Sequence, residues 1–490
     1  MHPERRIDGS SSSLAIRRKR SPCQRDDDSH DSKRRGSSAT ELAVPEDIWC
    51  HIHSLMTLRD AARAACVSHA FRYSWKCYPN LVFNTRTVVL RDGMDFACRV
   101  DHILKKHSGI GVKTFELNFP CFYKSDAYKY LHRWLAIVVK PGIEKLTLAI
   151  PEIEEVNFPC QVLSDANGSS MWYLHLAYCA FRPTVRLGCL RNLTVLFLDC
   201  VRITGDELGY IVSSCVSLEH LELGECPEIT YLKIPSQLQR LSSVHVLECH
   251  KLRTIKTEAP NICRFHFTAF NHVEFSLGES LQLKNLEMLC CRLLYYALEE
   301  LPSIAPNLET FSIFSCDEVV NTRMALVPSK LLHLKYLSIS IRGEYDYFSL
   351  VSFLDAAPSL ETFTLNVQIK SEYIDELLSE DPSHLRKMPG YRHDKLKTVK
   401  ISRFCSSKSL VELTCHIVEN SASLERLALD TTGGGLRCSD SWSRKCSFLH
   451  RATEAHTAVL VIGKYIVGKV RSRVKLDVVE PCIWCHTLDP

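Results

Sequence analysis

Long apolar runs are missing from this 490-residue chain. The first thirty residues contain none, so no secretory leader is read there. The longest, Ala458 to Val470, is interrupted by Gly463, Lys464, Gly468 and Lys469, which makes it too short and too charged to span a bilayer. Catalytic signatures are missing as well. There is no G-x-S-x-G turn and no H-E-x-x-H helix, and Ser108-Gly109-Ile110-Gly111 is a fragment of a phosphate loop without its third glycine or its lysine. The expectation is a non-enzyme with no cofactor and no metal. Net charge is also scarce. The whole excess of +4 lies in residues 1–40, where ten Lys or Arg stand against six Asp or Glu, and the rest of the chain is neutral overall. A general nucleic-acid binder needs a basic surface to neutralise phosphates, so no nucleic-acid partner is expected. These absences together predict a soluble intracellular protein, in the nucleus and/or cytoplasm, without a membrane partner.

Apolar residues, at 46%, supply ample material for a core, and cysteines are abundant at 23. In a reducing compartment such thiols behave as small apolar side chains. Residues 1–40, rich in Ser, Arg, Lys and Asp, cannot offset their ordering entropy and are expected to be a disordered basic tail. Within it Arg17-Arg18-Lys19-Arg20 and Lys33-Arg34-Arg35 resemble a two-part nuclear localisation signal, the plainer reading being a solubilising tail.

From about residue 110 the chain repeats itself. The template is an apolar residue, apolar residues three and five later, and a cysteine eight later. Met171-Leu174-Leu176-Cys179, Leu218-Leu221-Leu223-Cys226, Leu241-Val244-Val246-Cys249 and Leu308-Phe311-Ile313-Cys316 fit it fully. Weaker copies start at Ile143, Leu193, Ile262, Leu286, Leu334, Leu360, Leu396 and Leu424, and from 171 to 360 the starts lie 21 to 26 residues apart. That period is the one expected of leucine-rich repeats. The third and fifth positions alternate across a short strand and point inward, the fourth points out, and the cysteine fits the turn that leaves the strand. Glu207 to Cys215, Leu298 to Ala305, Leu350 to Ala357 and Leu410 to Ala422 carry helical periodicity. The predicted fold class is therefore α/β, a leucine-rich-repeat solenoid (a horseshoe) with a parallel concave sheet and helices on the convex side.

In front of the repeats, Leu42 to Phe83 reads as three short helices. Pro45 suits a first helical position and Glu46 and Asp47 suit the first turn. Ile48, Ile52 and Met56 follow on one face, with Trp49 and Leu55 beside them. Thr57 is a plausible cap for a slim second helix bearing Ala61, Ala62, Ala64 and Ala65, and a third helix forms around Phe71 and Trp75. Forty residues bury little on their own, so surplus apolar side chains here suggest a partner helix, the plainer reading being an ordinary N-terminal helical cap on the repeats.

At these residues the sequence resembles the F-box family. The family's opening Leu-Pro-x-Asp-Leu-Leu-x-x-Ile-Leu is matched by Val44, Pro45, Asp47, Ile48, Trp49 and Ile52. Its Leu-Pro-Leu-Arg-Asp segment is matched by Met56, Thr57, Leu58, Arg59 and Asp60, and its later Val-Ser-Lys/Arg-x-Trp by Val67, Ser68, His69 and Phe71. His53 departs from the pattern, placing a polar ring where the family presents an aliphatic contact. Leu396 to Asp430 resembles the FBD segment that follows leucine-rich repeats in many plant F-box proteins. The resemblance implies a non-catalytic, substrate-recruiting subunit of an SCF-type cullin ubiquitin ligase. Pro45, Ile48, Trp49, Ile52, Met56, Leu58 and Val67 would dock to a Skp-family adaptor, directly or by holding the helices that do. Through the adaptor they would reach a cullin, while the repeats hold a target protein. The implied organisation is a tail (1–40), the helical module (41–83), repeats (84–395), FBD-like repeats (396–430), and a loop, capping helix and C-terminal tail (431–490). The alternatives are a non-ligase interaction scaffold or a small-ligand sensor, the latter signalled by basic residues in the solenoid's hollow.

One further constellation, Cys482-Ile483-Trp484-Cys485-His486, matches the attachment motif of c-type haem and half of a zinc site that Cys438, Cys446 or His450 could complete. Haem attachment needs an export context and zinc needs a second regular pair. Neither is read in the sequence, and with 23 Cys and 21 His a chance match is the simpler account.

Overall fold

The computed structural model describes residues 45–88, 96–120, 128–150, 156–163, 168–183, 188–269, 273–278, 282–316, 318, 330–368, 384–388, 392–433 and 449–481. The chain divides into Met1–Pro45 and Glu46–Pro490, and every helix and strand described belongs to the second unit.

Among the described residues fifteen strands form one sheet whose neighbours are all parallel and follow chain order. The copies found in the sequence are these strands, each beginning two residues after its template start. Tyr173–Ala177, Val195–Asp199, His220–Gly224, Ser243–Leu247 and Arg264–Thr268 lie side by side in this way. The register keeps like over like: Leu196 pairs with Leu221, Leu221 with Val244, and Val244 with Phe265. Leu174, Leu176, Leu221, Leu223, Val244 and Val246 are completely buried. Burial of each such side chain contributes about 1.5–3 kcal/mol, and stacking supplies the apolar neighbours that a single copy lacks. Helices form on the connections at Gly205–Ser214, Val351–Ala356 and Lys408–Asn420, and the segment Leu298 to Ala305 is split between the end of Leu294–Glu299 and the short helix Leu301–Ile304.

At several exits the chain turns through a left-handed residue. Tyr178, Cys200, Glu225, Glu248 and Arg292 have φ between 45° and 58°. Each turns its N–H onto the last carbonyl of the next strand, as in Glu225 N to Leu247 O at 2.7 Å and Glu248 N to Thr268 O at 2.8 Å. The conformation costs a non-glycine residue about 1–2 kcal/mol, which the inter-strand hydrogen bond helps to offset. The template cysteine follows directly and is buried at Cys179, Cys226 and Cys249; Cys226 Sγ donates to Leu198 O at 3.5 Å.

Four features differ from the sequence reading. The copy placed at Leu286 starts at Leu283, because Leu286 and Met288 are the buried inward pair and pair with Phe265 and Phe267. Cys316 is not tucked into a turn: its strand, Thr310–Cys316, runs two residues longer and leaves it on the outward side. The sheet also begins earlier and ends later than the weak copies suggest. Asn80–Phe83, at the end of the front module, pairs with Thr114–Asn118, and Lys475–Val479 pairs with Arg426–Asp430. The last strand escaped the template because Arg473 occupies its leading apolar position. Finally, Tyr231–Ile234, Thr254–Thr257 and Glu274–Ser276 build a second, three-stranded parallel sheet, where connections too short for helices run extended.

Candidate functional site

Three helices stand in front of the sheet: α1 (Glu46–Ser54), α2 (Leu58–Val67) and α3 (His69–Trp75). Thr57 caps α2, its Oγ1 accepting from Asp60 N at 3.2 Å, and Ser68 caps α3. The module is tied to the sheet by two hydrogen bonds: Tyr78 OH donates to Met56 O at 2.8 Å and Asn80 Nδ2 to Ser54 O at 3.2 Å. Burial raises the Tyr78 phenol above its ordinary pKa, so it stays a donor.

The position read as a presented polar contact, His53, is instead the centre of the module, with 1% of its surface exposed. Its Nε2 lies 2.9 Å from Ala61 O on α2 and its Nδ1 2.7 Å from Ser74 Oγ on α3. Phe71, Trp75 and Tyr78 surround the ring. The sequence pattern misplaced it because helical spacing alone cannot say which of two adjacent stripes turns inward.

The other residues singled out divide in two. Ile48 and Ile52 are 45% and 37% exposed, and Leu55, one turn on, is 74% exposed, so α1 carries an open apolar ridge. Pro45 is exposed, and Val67 stands open at the end of α2. Trp49 packs edge-on against Phe71 at 5.1 Å, Met56 leans on the core and Leu58 is buried. These last three hold the helices. Leu55 and Tyr73 are open apolar positions that the motif did not mark.

The outward side of the sheet bears a second cluster. His175, Phe197, His220, His245 and His266 touch in series, with ring centroids 5.8, 5.1, 4.8 and 5.6 Å apart. Glu222 lies between His220 and His245. Burial holds the imidazoles of His175, His245 and His266 below their ordinary pKa and lifts the Asp199 carboxyl above its own. Beside them opens a cavity of about 490 Å³ lined by Asp199, Glu222, Glu225 and Glu248 together with Tyr173 and His175. Its acidity is the opposite of what an anionic ligand needs. A second groove of about 480 Å³ does hold Lys284, Lys335 and Lys395, but Glu309 and Glu361 are interleaved with them. Glu309 pairs with Lys284 at 3.2 Å and with Lys335 at 3.0 Å. Part of the signal was available: His175, Phe197, His245 and His266 occupy the outward position four after the start of their copies, whereas His220 stands two earlier and Glu222 takes that position in its copy.

The basic tail, Leu42, Val44, Cys438, Cys446 and the Cys482–His486 constellation lie outside the described residues. Among those described, no helix is long and apolar enough to cross a membrane.

The family described as "At1g61320/AtMIF1, LRR domain" matches residues 103–483. The FBD-associated F-box protein At1g66310 of Arabidopsis thaliana is 26% identical over 203 residues, 40% of this chain and 43% of that protein. The F-box/FBD/LRR-repeat protein At1g13570 of the same plant is 24% identical over 217 residues, 40% of this chain and 49% of that one. The chain thus spans less than half the length of these relatives. A solved structure, the LRR protein LIC12759 of Leptospira interrogans, aligns over 86% of this chain and 98% of that one at 12% identity and a TM-score of 0.33.

Proposed function

The chain belongs to the At1g61320/AtMIF1 LRR-domain family, and from that premise we propose that it is the substrate-recruiting F-box subunit of an SCF-type cullin ubiquitin ligase. The observation that carries the reading is the open apolar ridge of Ile48, Ile52 and Leu55 on α1, in a three-helix module directly ahead of the repeat sheet. Relatives named as F-box/LRR-repeat proteins support it. In this reading Ile48, Ile52 and Val67 touch a Skp-family adaptor and through it a cullin. Pro45, Trp49, Met56 and Leu58 set the helices. The repeats and the FBD-like segment 396–430 hold a target protein in the nucleus and/or cytoplasm. The chain forms no bond itself. It raises the effective concentration of the target's lysines near a ubiquitin-charged enzyme by gripping two partners at once.

His53, which as an exposed polar ring would have favoured a drifted scaffold, is internal and gives that alternative no support. The test is capture of a purified Skp-family adaptor by the full chain and by Ile52→Asp. Ile52 is over a third exposed, so the substitution leaves the fold intact while placing a charge in a desolvating interface. We expect binding by the native chain and at least about tenfold weaker binding by the variant, a loss of about 1.4 kcal/mol. Equal capture of both, or of neither, would sink the proposal.

A further inference from the structure

The histidine series on the outward side of the sheet contains a three-residue constellation with the dimensions of a metal site. His220 and Glu222 are two apart on one strand and therefore share a face, and Glu222 is the register partner of His245 on the next. Glu222 Oε2 lies 3.4 Å from His220 Nε2 and 3.2 Å from His245 Nδ1, and the ligand atoms of all three lie within 4.8 Å of one another.

Two plain explanations compete. A carboxylate accepting from a neutral imidazole N–H sits at about 2.7–3.2 Å; the His245 contact lies at the long limit of that range and the His220 contact exceeds it. Ligands arranged tetrahedrally at zinc distances of about 2.0–2.1 Å stand about 3.3–3.4 Å apart, which the His220 contact matches and the His245 contact approaches to about 0.1 Å. The third edge, between the two imidazoles, closes by ring rotation, for which the side chains have room at 23% and 30% exposure. The outer contact is present as well. Ser243, itself buried, has its Oγ 3.3 Å from His245 Nε2. There it can accept the Nε2–H and leave the Nδ1 lone pair free, the support that metal-bound histidines commonly have. The field has the right sign too, since Asp199, Glu225 and Glu248 line the same cavity as Glu222.

We propose that His220, Glu222 and His245 bind one divalent ion of the zinc class through two imidazole nitrogens and one carboxylate oxygen. The fourth position opens to solvent on the outward side of the sheet. Structural zinc is closed by four protein ligands, whereas three protein ligands leave a fourth position for water or an outside donor. An ion held there would clamp neighbouring repeats and offer a docking point to a donor atom from outside. The assignment does not depend on the ligase reading.

With 23 cysteines in the chain, thiolate binding must be separated from this site. The metal-free full chain is dialysed against Zn²⁺ and its bound equivalents counted, alongside Glu222→Gln, His245→Ala and the nearby control His266→Ala. Co²⁺ replaces Zn²⁺ in a parallel titration, because thiolate ligation adds near-ultraviolet charge-transfer absorption that nitrogen and oxygen ligands do not. We expect Glu222→Gln and His245→Ala to bind one equivalent fewer than the native chain. Affinity at this site should fall by more than the roughly 10–100-fold lost on removing an outer-contact partner, without loss of the thiolate band. His266→Ala should bind as the native chain does, and Zn²⁺ should raise the melting temperature of the native chain and the control but not of the two ligand variants. Unchanged stoichiometry in Glu222→Gln and His245→Ala, or an equal loss in His266→Ala, would overturn the assignment. The near-isosteric Glu222→Gln, checked by circular dichroism, guards against a folding artefact.

Discussion

A neutral imidazole offers one N–H and one lone pair, and the two neighbours of His53 match that inventory. Ala61 O can only accept, so Nε2 donates to it, and Nδ1 is left to accept from the Ser74 hydroxyl at 2.7 Å. A polar ring satisfied on both sides costs little to bury, and here it joins all three helices of the module. The opposite case is His393. Its Nε2 has no hydrogen-bond partner among the described residues and stands 3.9 Å from Asp355 Oδ1, with His416 5.7 Å away ring to ring. Burial, reinforced by His416, depresses its pKa from 6.5 to about 4. A histidine depressed in this way takes up its proton first in the unfolded chain. Its share of stability is therefore complete above about pH 6.5 and drains away as pH falls towards 4. Asp355, raised by burial to about 6, works in the other direction but is present with or without the histidine. We expect urea unfolding to show the native chain losing up to roughly 3 kcal/mol more than His393→Gln between pH 7 and pH 4. Parallel pH profiles would count against a buried neutral ring.

Between elements, one guanidinium does the work of a staple. Arg386 donates to both oxygens of Asp346 at 2.7 and 2.8 Å and through Nε to Glu412 Oε2 at 2.7 Å, while its own backbone N–H reaches Glu412 Oε1 at 2.8 Å. Phe348 lies under the guanidinium at 5.0 Å. Asp346 also caps the turn that opens Tyr347–Leu350, and Glu412, on the helix Lys408–Asn420, has a fully buried side chain. Arg386→Met leaves that carboxylate without its charge partner. The cost expected is about 3 kcal/mol, the low end for a broken buried pair because Arg386 is itself half-exposed. Adding Glu412→Gln should recover part of the loss, which a double-mutant cycle measures, and strict additivity would show that the pair is uncoupled. None of this could be read from the chain, since Arg386, Asp346 and Glu412 are far apart in sequence and fit no period. The strands were legible because alternation and a repeat of fixed length report burial directly. The strand Lys475–Val479 was not, because one charged residue at its leading position hid it. The apolar ridge was legible as a stripe on α1, but its boundary at His53 required knowing which side the other two helices cover. The cluster His220, Glu222 and His245 needed the register between strands, which no single copy contains.

At the scale of the whole unit, each strand pairs only with its neighbours, so stability should behave as a chain of local terms rather than one pooled quantity. The far end is closed by the helix Leu449–Tyr465, which buries Ala458, Val461 and Ile462, and by the strand Lys475–Val479, whose first N–H reaches Glu425 O at 2.8 Å. Two more ties fasten this closure to the preceding repeat: Ser406 N donates to Glu454 Oε1 at 2.6 Å, and Lys469 pairs with Glu419 at 2.8 Å. Removing residues 449–490 strips these contacts and leaves the strand Arg426–Asp430 as a bare edge with Leu427 and Leu429 losing their cover. Hydrogen exchange should then accelerate most at Arg426–Asp430, less at Thr398–Ser402, and not at all at Asn80–Phe83, the edge strand at the opposite end of the sheet. The three-helix module, fastened at that opposite end through Tyr78 and Asn80, should, on the function proposed for it, capture a Skp-family adaptor as the full chain does. Acceleration spread evenly along the sheet would mean instead that the repeats unfold as one cooperative block. Damage at the C-terminal closure would then be felt at α1, and partner binding and repeat stability could not be separated by mutation.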